Sequence, residues 1–261
     1  MKLKKVMALT MAGAMAATTL TACGSSSSTT ETTKAAETTA AAAADTTAAA
    51  AADNGSSDAE TVLQVAFENS ISEPVGQGWE KAQEIIKEKS GGKMAIEIYP
   101  DSQLGDKSSL IDSMLLGENV CTLADGAFYA DYGVPDFGIV FGPFLFDSWD
   151  QVWKLVDSDW YKEQCGKLEE KGLKIIASNW IYGERHTLTN VPVNTVDDLK
   201  GLKIRVPSNE IQSKGFDVLG ATSTGMALGD VYQALQTKTI DGERTRLQLC
   251  TAESFTRLLN T

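Results

Sequence analysis

The chain has 261 residues, 35 acidic and 23 basic side chains and a net charge of −12. Such an acidic chain repels polyanions, which argues against nucleic acid as a partner and requires any anion site to be built locally. With one histidine, a His-rich zinc site and the HExxH arrangement are excluded, and no metal site is expected.

Lys2, Lys4 and Lys5 precede an apolar, Ala-rich stretch from Met7 to Leu20, too short to span a bilayer as a mature helix and patterned like a signal sequence. Leu20-Thr21-Ala22-Cys23-Gly24 then matches a bacterial lipoprotein signal. Residues 1–22 are therefore expected to be cleaved and Cys23 lipidated, which places the chain outside the cytoplasmic membrane, in the periplasm or at the cell surface, anchored to that membrane's outer face. An ordinary secretory signal with a chance cysteine is the other reading. Residues 23–60 are Ser, Thr and Ala with scattered acids and almost no large apolar side chain, so a disordered tether is expected there. Losing residues 1–22 removes three lysines and no acid, leaving a net charge of −15.

From Thr61 strands and helices alternate. Thr61–Glu68 reads as a strand with Leu63, Val65 and Phe67 on one face, and 78–89 as a helix with Trp79, Ala82, Ile85 and Ile86 inward, ended by Gly91-Gly92. Met94, Ile96 and Ile98 mark a second strand. Asp106 caps a helix carrying Leu110, Ile111, Met114 and Leu115, and 120–124 is a third strand. This β-α-β-α-β order predicts an α/β fold with a mostly parallel sheet. After a Gly-, Pro- and aromatic-rich stretch (132–146), Asp147 or Ser148 caps one long helix with Val152, Leu155, Val156 and Leu168 inward. A strand at 173–177, a short helix at 196–199, a strand in "GLKIRVPSN" (201–209) and helices over 210–219 and 230–237 complete the pattern. Cys121, Cys165 and Cys250 form no CxxC, and Cys121 and Cys165 are either a disulfide or buried thiols.

Catalytic patterns are missing. Ala221-Thr222-Ser223-Thr224-Gly225 lacks the first glycine of GxSxG, Gly91-Gly92-Lys93 lacks the P-loop spacing, and Gly76-Gln77-Gly78 has no third glycine for a dinucleotide loop. No catalytic residue and no cofactor is expected. What remains is arginine near strand ends: Arg185 beyond the expected 173–177 strand and Arg205 closing the next one. A guanidinium can bind a carboxylate through two parallel bonds, which suits an organic acid at the carboxyl ends of strands. Ordinary salt bridges to Asp or Glu are the alternative.

"SGGKMAIEIYPDSQLG", "FGPFLF", "NWIYGERHTLTN-VPVNTVDDLKGLKIRVPSN" and "LGATSTGMALGDVYQALQTKTIDG" resemble the DctP-type substrate-binding proteins of tripartite ATP-independent periplasmic (TRAP) transporters, over residues 62–242. The resemblance implies a periplasmic-binding-protein-like, type II-like two-lobe α/β fold with mostly parallel sheets. Lobe I would cover about 61–180, and lobe II would begin over about 181–242. It further implies a binder, not an enzyme, that captures a small organic acid such as a C4-dicarboxylate and hands it to membrane permease subunits. The family's carboxylate-clamping arginine falls on Arg205 and a second arginine on Arg185. A pocket position falls on Leu228, and the usual His-Pro of the first loop is Glu73-Pro74, which would favour a ligand hydroxyl or amine. Phe128, Trp180 and Tyr182 are further candidates for the cleft lining. A ligand-binding module feeding a signalling protein would use the same lobes and is the rival reading; a cell-surface enzyme is a weaker one.

After "DG" the family runs on through an "ENP"-type segment, whereas this chain reads "ERTRLQLCTAESFTRLLNT". Written as degenerate codons and read two bases later from Glu243, one consistent codon choice gives "ENPLTTMYSRKFYEVAKH". Residues 243–261 are therefore expected to be an out-of-frame tail, with the true C-terminal part lost by a frameshift. Such a product is expected to leave its cleft incomplete, expose apolar faces and bind ligand weakly.

Overall fold

The computed structural model describes residues 58–142 and 144–246. These all belong to one unit, Ala48–Thr261. Cys23, most of the expected tether, Cys250 and residues 247–261 lie outside the described residues.

The first sheet is three-stranded and parallel, in the order β2-β1-β3, from β1 (Thr61–Ala66), β2 (Met94–Tyr99) and β3 (Val120–Cys121). Thr61 pairs with Met94 and Ala66 with Tyr99, so β1 and β2 run in full register. As the alternation requires, Val65, Phe67, Ile96 and Ile98 are buried in one cluster, with Leu63, Trp79 and Ile86 packed against it. α1 spans Pro74–Lys89 and starts four residues before the sequence suggests. Proline at its first turn costs no hydrogen bond, and Gly76 lets that turn approach the loop: a Cβ there would stand 2.2 Å from the Ile71 carbonyl oxygen. Ile85, expected inward, is exposed.

α2 (Lys107–Leu115) begins as expected, with Asp106 accepting from Ser109 N at 2.8 Å, but Leu115 faces solvent. α3 (Gly126–Asp131) is capped by Asp125 and leads into a 3-10 turn at Pro135–Phe141. Ile111, Phe128, Phe137, Leu168 and Leu173 form the core beneath them. The one long helix expected after Ser148 is two, α4 (Trp149–Val156) and α5 (Asp159–Glu170). Ser158 breaks it, since its hydroxyl accepts from Tyr161 N and starts the second helix. α4 buries none of its residues fully, and Val152, Leu155 and Val156, expected inward, are half-buried.

The segment 173–177 is not a strand. Among the described residues it has no ladder partner, and its backbone runs on without regular structure to Glu184. Cys121 and Cys165 are free thiols, and burial raises the pKa of both.

The second sheet has the order β4-β7-β5-β6, built from β4 (Arg185–Thr189), β5 (Lys203–Val206), β6 (Thr222–Gly225) and β7 (Gly242–Arg246). β5 pairs in parallel with β6 and β7, while β4 runs antiparallel to β7. Gly242 is required where β7 meets β4, because a Cβ would lie 2.2 Å from the Leu188 carbonyl oxygen. The tail boundary expected at Glu243 falls one residue inside β7. α6 (Glu210–Val218), capped by Asn209, and α7 (Val231–Gln236) cover this sheet where the pattern predicts helices. Phe144, Ile176, Ile181 and Val218 remain exposed apolar side chains.

Candidate functional site

β5 is interior, with β7 and β6 paired to its two edges, and Arg205 is buried on it beside Ile204 and Val206. Its guanidinium is committed: Nε and Nη2 donate to the Met226 carbonyl oxygen at 3.0 and 2.8 Å. Nη1 faces Glu243 Oε2 at 4.0 Å. The fork expected to stand open for two parallel bonds to a ligand thus grips the backbone. Burial lowers the Arg205 pKa, against the pull of Glu243 and Glu68. Arg205 lines a recess of about 10 Å³, room for roughly one water, together with Glu68, Lys107, Phe128 and Met226 among others.

Glu243 is fully buried, and neither carboxylate oxygen has a hydrogen-bond partner. Burial pushes its carboxyl up to about 7, although Arg205 and Arg185 pull it down. Burial wins because a 4.0 Å ion pair supplies no hydrogen bond to the desolvated oxygens.

The larger cleft, about 1010 Å³, is lined on the second sheet by Arg185, Thr187, Arg244 and Arg246. The register explains the set. Arg185 lies opposite Arg246 and Thr187 opposite Arg244, and residues two apart on a strand share a face. Arg205 pairs in register with Glu243, on the other face of β7. Arg185 stands 3.8 Å from Asp125 and 5.1 Å over the Tyr182 ring. Arg244 donates to Gln212 Oε1 at 2.5 Å and lies over Phe141, and burial lowers it to about 10.

The facing wall carries Glu68, Asn69, Lys107, Ala124 and Asp125, with Trp180 and Tyr182 beside it. Glu68 bridges the walls, accepting from Leu228 N at 3.2 Å and lying 4.0 Å from Lys107 Nζ. Trp180 is half-exposed, its ring 4.9 Å from that of Trp79. Phe128 is buried under Lys107, 4.9 Å away, and lines the small recess. The Leu228 side chain packs into the cluster of Val231, Leu235 and Ile240, so the backbone at this position faces the first sheet's loop and the side chain does not. Glu73 is buried and ion-paired with Arg246.

Of the residues singled out in the sequence, the structure brings Arg185, Trp180 and Tyr182 to the large cleft, puts Arg205 and Phe128 at the small recess, and sets Glu73 behind Arg246. The sequence reading missed Asn69, Gln212, Glu243, Arg244 and Arg246. "GERTR" does carry a period-two arginine signal, but its residues after Gly242 were assigned to another frame. Among the described residues no group of three or more His, Cys, Asp or Glu is placed to hold a metal, and no helix is long and apolar enough to cross a membrane.

Two sheets of this topology, with arginines of the antiparallel β4–β7 pair lining one cleft, give the architecture of a two-sheet α/β binding protein. The sequence model of bacterial extracellular solute-binding protein family 7 (DctP) matches residues 65–260. The chain belongs to this family, the substrate-binding proteins of TRAP transporters. The match runs past Gly242, the end of the resemblance seen in the sequence, to residue 260. Among curated relatives, the C4-dicarboxylate-binding protein DctP of Rhodobacter capsulatus is 32% identical over 65% of this chain and 50% of its own. The 2,3-diketo-L-gulonate-binding protein YiaO of Escherichia coli K12 is 30% identical over 77% of this chain and 61% of its own. The chain therefore spans about half to three fifths of these relatives. A TRAP solute-binding protein from Ochrobacterium anthropi with bound L-fuconate superposes with a TM-score of 0.73 at 38% identity, over 76% of this chain and 65% of that one. One from Actinobacillus succinogenes with bound L-galactonate gives 0.73 at 32%, over the same shares.

Proposed function

We propose that the chain is an extracytoplasmic receptor that captures a small organic acid and delivers it to TRAP-type membrane permease subunits, tethered through a lipidated Cys23. The observation that carries this reading is the convergence of Arg185, Arg244 and Arg246 on one cleft of about 1010 Å³, with Arg205 next to it. An arginine-lined, partly desolvated cleft favours carboxylates strongly enough to overcome the chain's overall negative charge. Within the organic acids, hydroxylated monocarboxylates fit the site better than dicarboxylates. Glu68, Asn69 and Asp125 on the facing wall offer acceptors to hydroxyls, and the Glu68 and Asp125 carboxylates would repel a second carboxylate. The bound L-fuconate and L-galactonate of the two structural relatives, and the diketo-gulonate named for YiaO, support the same class. A thermal-shift screen tests it: sugar acids should raise the melting temperature more than succinate does, and neutral sugars should leave it unchanged. A shift with neutral sugars alone would contradict the reading.

A further inference from the structure

Much of the lining of the large cleft is apolar. Phe144, Leu145, Trp149, Ile181 and Leu219 belong to it and are all exposed, Phe144 fully so. A hydroxylated acid held by the arginines has no apolar surface to lay against them, and exposed apolar surface gathered in one cleft marks a docking site. The chain itself arrives there. β7 ends at Arg246, opposite Arg185, and both residues line the cleft. Residues 180–184, which lead into β4, line it too. The chain beyond Arg246 therefore leaves the sheet at the cleft.

The sequence that follows suits this lining. Ala252, Phe255, Leu258 and Leu259 recur at helical spacing, while Glu253, Thr256, Arg257 and Asn260 fall on the opposite face of the same helix. Thr251 stands at the N-cap position, and Glu253 and Arg257 are spaced to pair along the polar face. A helix this short is marginal alone and needs a surface for its apolar stripe. Residues 247–251, extended, span up to about 17 Å, enough to carry such a helix from the end of β7 over the lining.

We propose that residues 252–260 form an amphipathic helix that docks on the apolar lining of the cleft through Phe255, Leu258 and Leu259, with Glu253 and Arg257 toward solvent. Tethered so close to the end of β7, the helix meets the lining at an effective concentration of about millimolar or above, which a separate molecule does not match. A second copy of the chain would also bring its own net charge of −12 against the first. Docking there uses the apolar lining rather than Arg185 and Arg244, so it does not depend on the capture of an acid.

The test uses the full chain and the oxidation of an engineered thiol pair. With Cys250→Ser removing the native thiol of the segment, Leu258→Cys is combined with Leu145→Cys in the lining or with Leu116→Cys, which is exposed but outside the cleft. Diamide should close the 145–258 disulfide within one chain about tenfold or more faster than the 116–258 disulfide. Equal rates would overturn the proposal. So would a 145–258 disulfide that forms between chains in preference, since the occupant would then be a second copy. If the variant with Leu145→Cys does not melt cooperatively, Leu219→Cys takes its place. Independently, Phe255→Asp/Leu259→Asp in the parent should raise the fluorescence of added anilinonaphthalene sulfonate about twofold or more by uncovering the lining, with cooperative melting kept, whereas Thr256→Asp on the polar face should not. Unchanged fluorescence in the double variant, or an equal rise in both, would overturn the proposal.

Discussion

Replacing Glu243 by Gln should make the chain more stable at neutral pH, and the gain should vanish in acid. The buried carboxyl titrates near 7 in the folded protein against an ordinary value of 4.5. The folded state therefore holds a proton that the unfolded state has already released throughout that window. Stability falls as pH rises wherever the native state binds more protons, so Glu243 is neutral in effect below 4.5 and increasingly costly up to about 7. The shift corresponds to roughly 3 kcal/mol at and above neutrality. The cause is desolvation of two oxygens that no donor reaches, partly offset by Arg205 at 4.0 Å. Urea denaturation of parent and Glu243→Gln, across and above this window, reads the effect as a difference in which the other carboxylates cancel. The variant should gain progressively as pH rises. A difference that stays flat with pH, or parent stability that grows with pH relative to the variant, would refute the reasoning. It would mean that the Arg205 charge fully compensates burial.

Asp106→Ala removes the acceptor 2.8 Å from Ser109 N and should cost about 1 kcal/mol of stability in the same denaturation experiment. If Cys23 is lipidated, Cys23→Ser should release the protein from the membrane and abolish labelling by a fatty-acid analogue; unchanged membrane association would count against the anchor.

The first sheet was legible in the sequence because its strands alternate cleanly and its helix between β2 and β3 carries its own cap, as at Val65, Ile96, Ile98 and Asp106. The second sheet was half legible. β5 is legible in "GLKIRVPSN", but its place inside the sheet, with β7 and β6 hydrogen-bonded to its two edges, is not. β4 and β6, "RHTLT" and "TSTG", have no large β-branched apolar alternation, and tertiary pairing makes them strands. Residues 173–177 show the converse: β-propensity without a partner does not produce a strand. At the site, the types of residue were legible and their faces were not. Arg185 and Arg205 were both expected at neighbouring strand ends, yet β4 begins with Arg185 and runs antiparallel to β7, so the two arginines reach different pockets. Direction and register depend on long-range pairing, which local pattern does not encode.

The capture of a carboxylate by the arginines is tested most directly by calorimetric titration of organic acids into the full chain and its Arg185→Ala and Arg244→Ala variants. The account predicts saturable binding of at least one sugar acid. Each substitution that leaves the carboxylate unpaired should remove about 2–5 kcal/mol, enough to abolish weak binding, while the variants still melt cooperatively. An acid that binds both variants as tightly as the parent, or a folded parent that binds no acid, would contradict it.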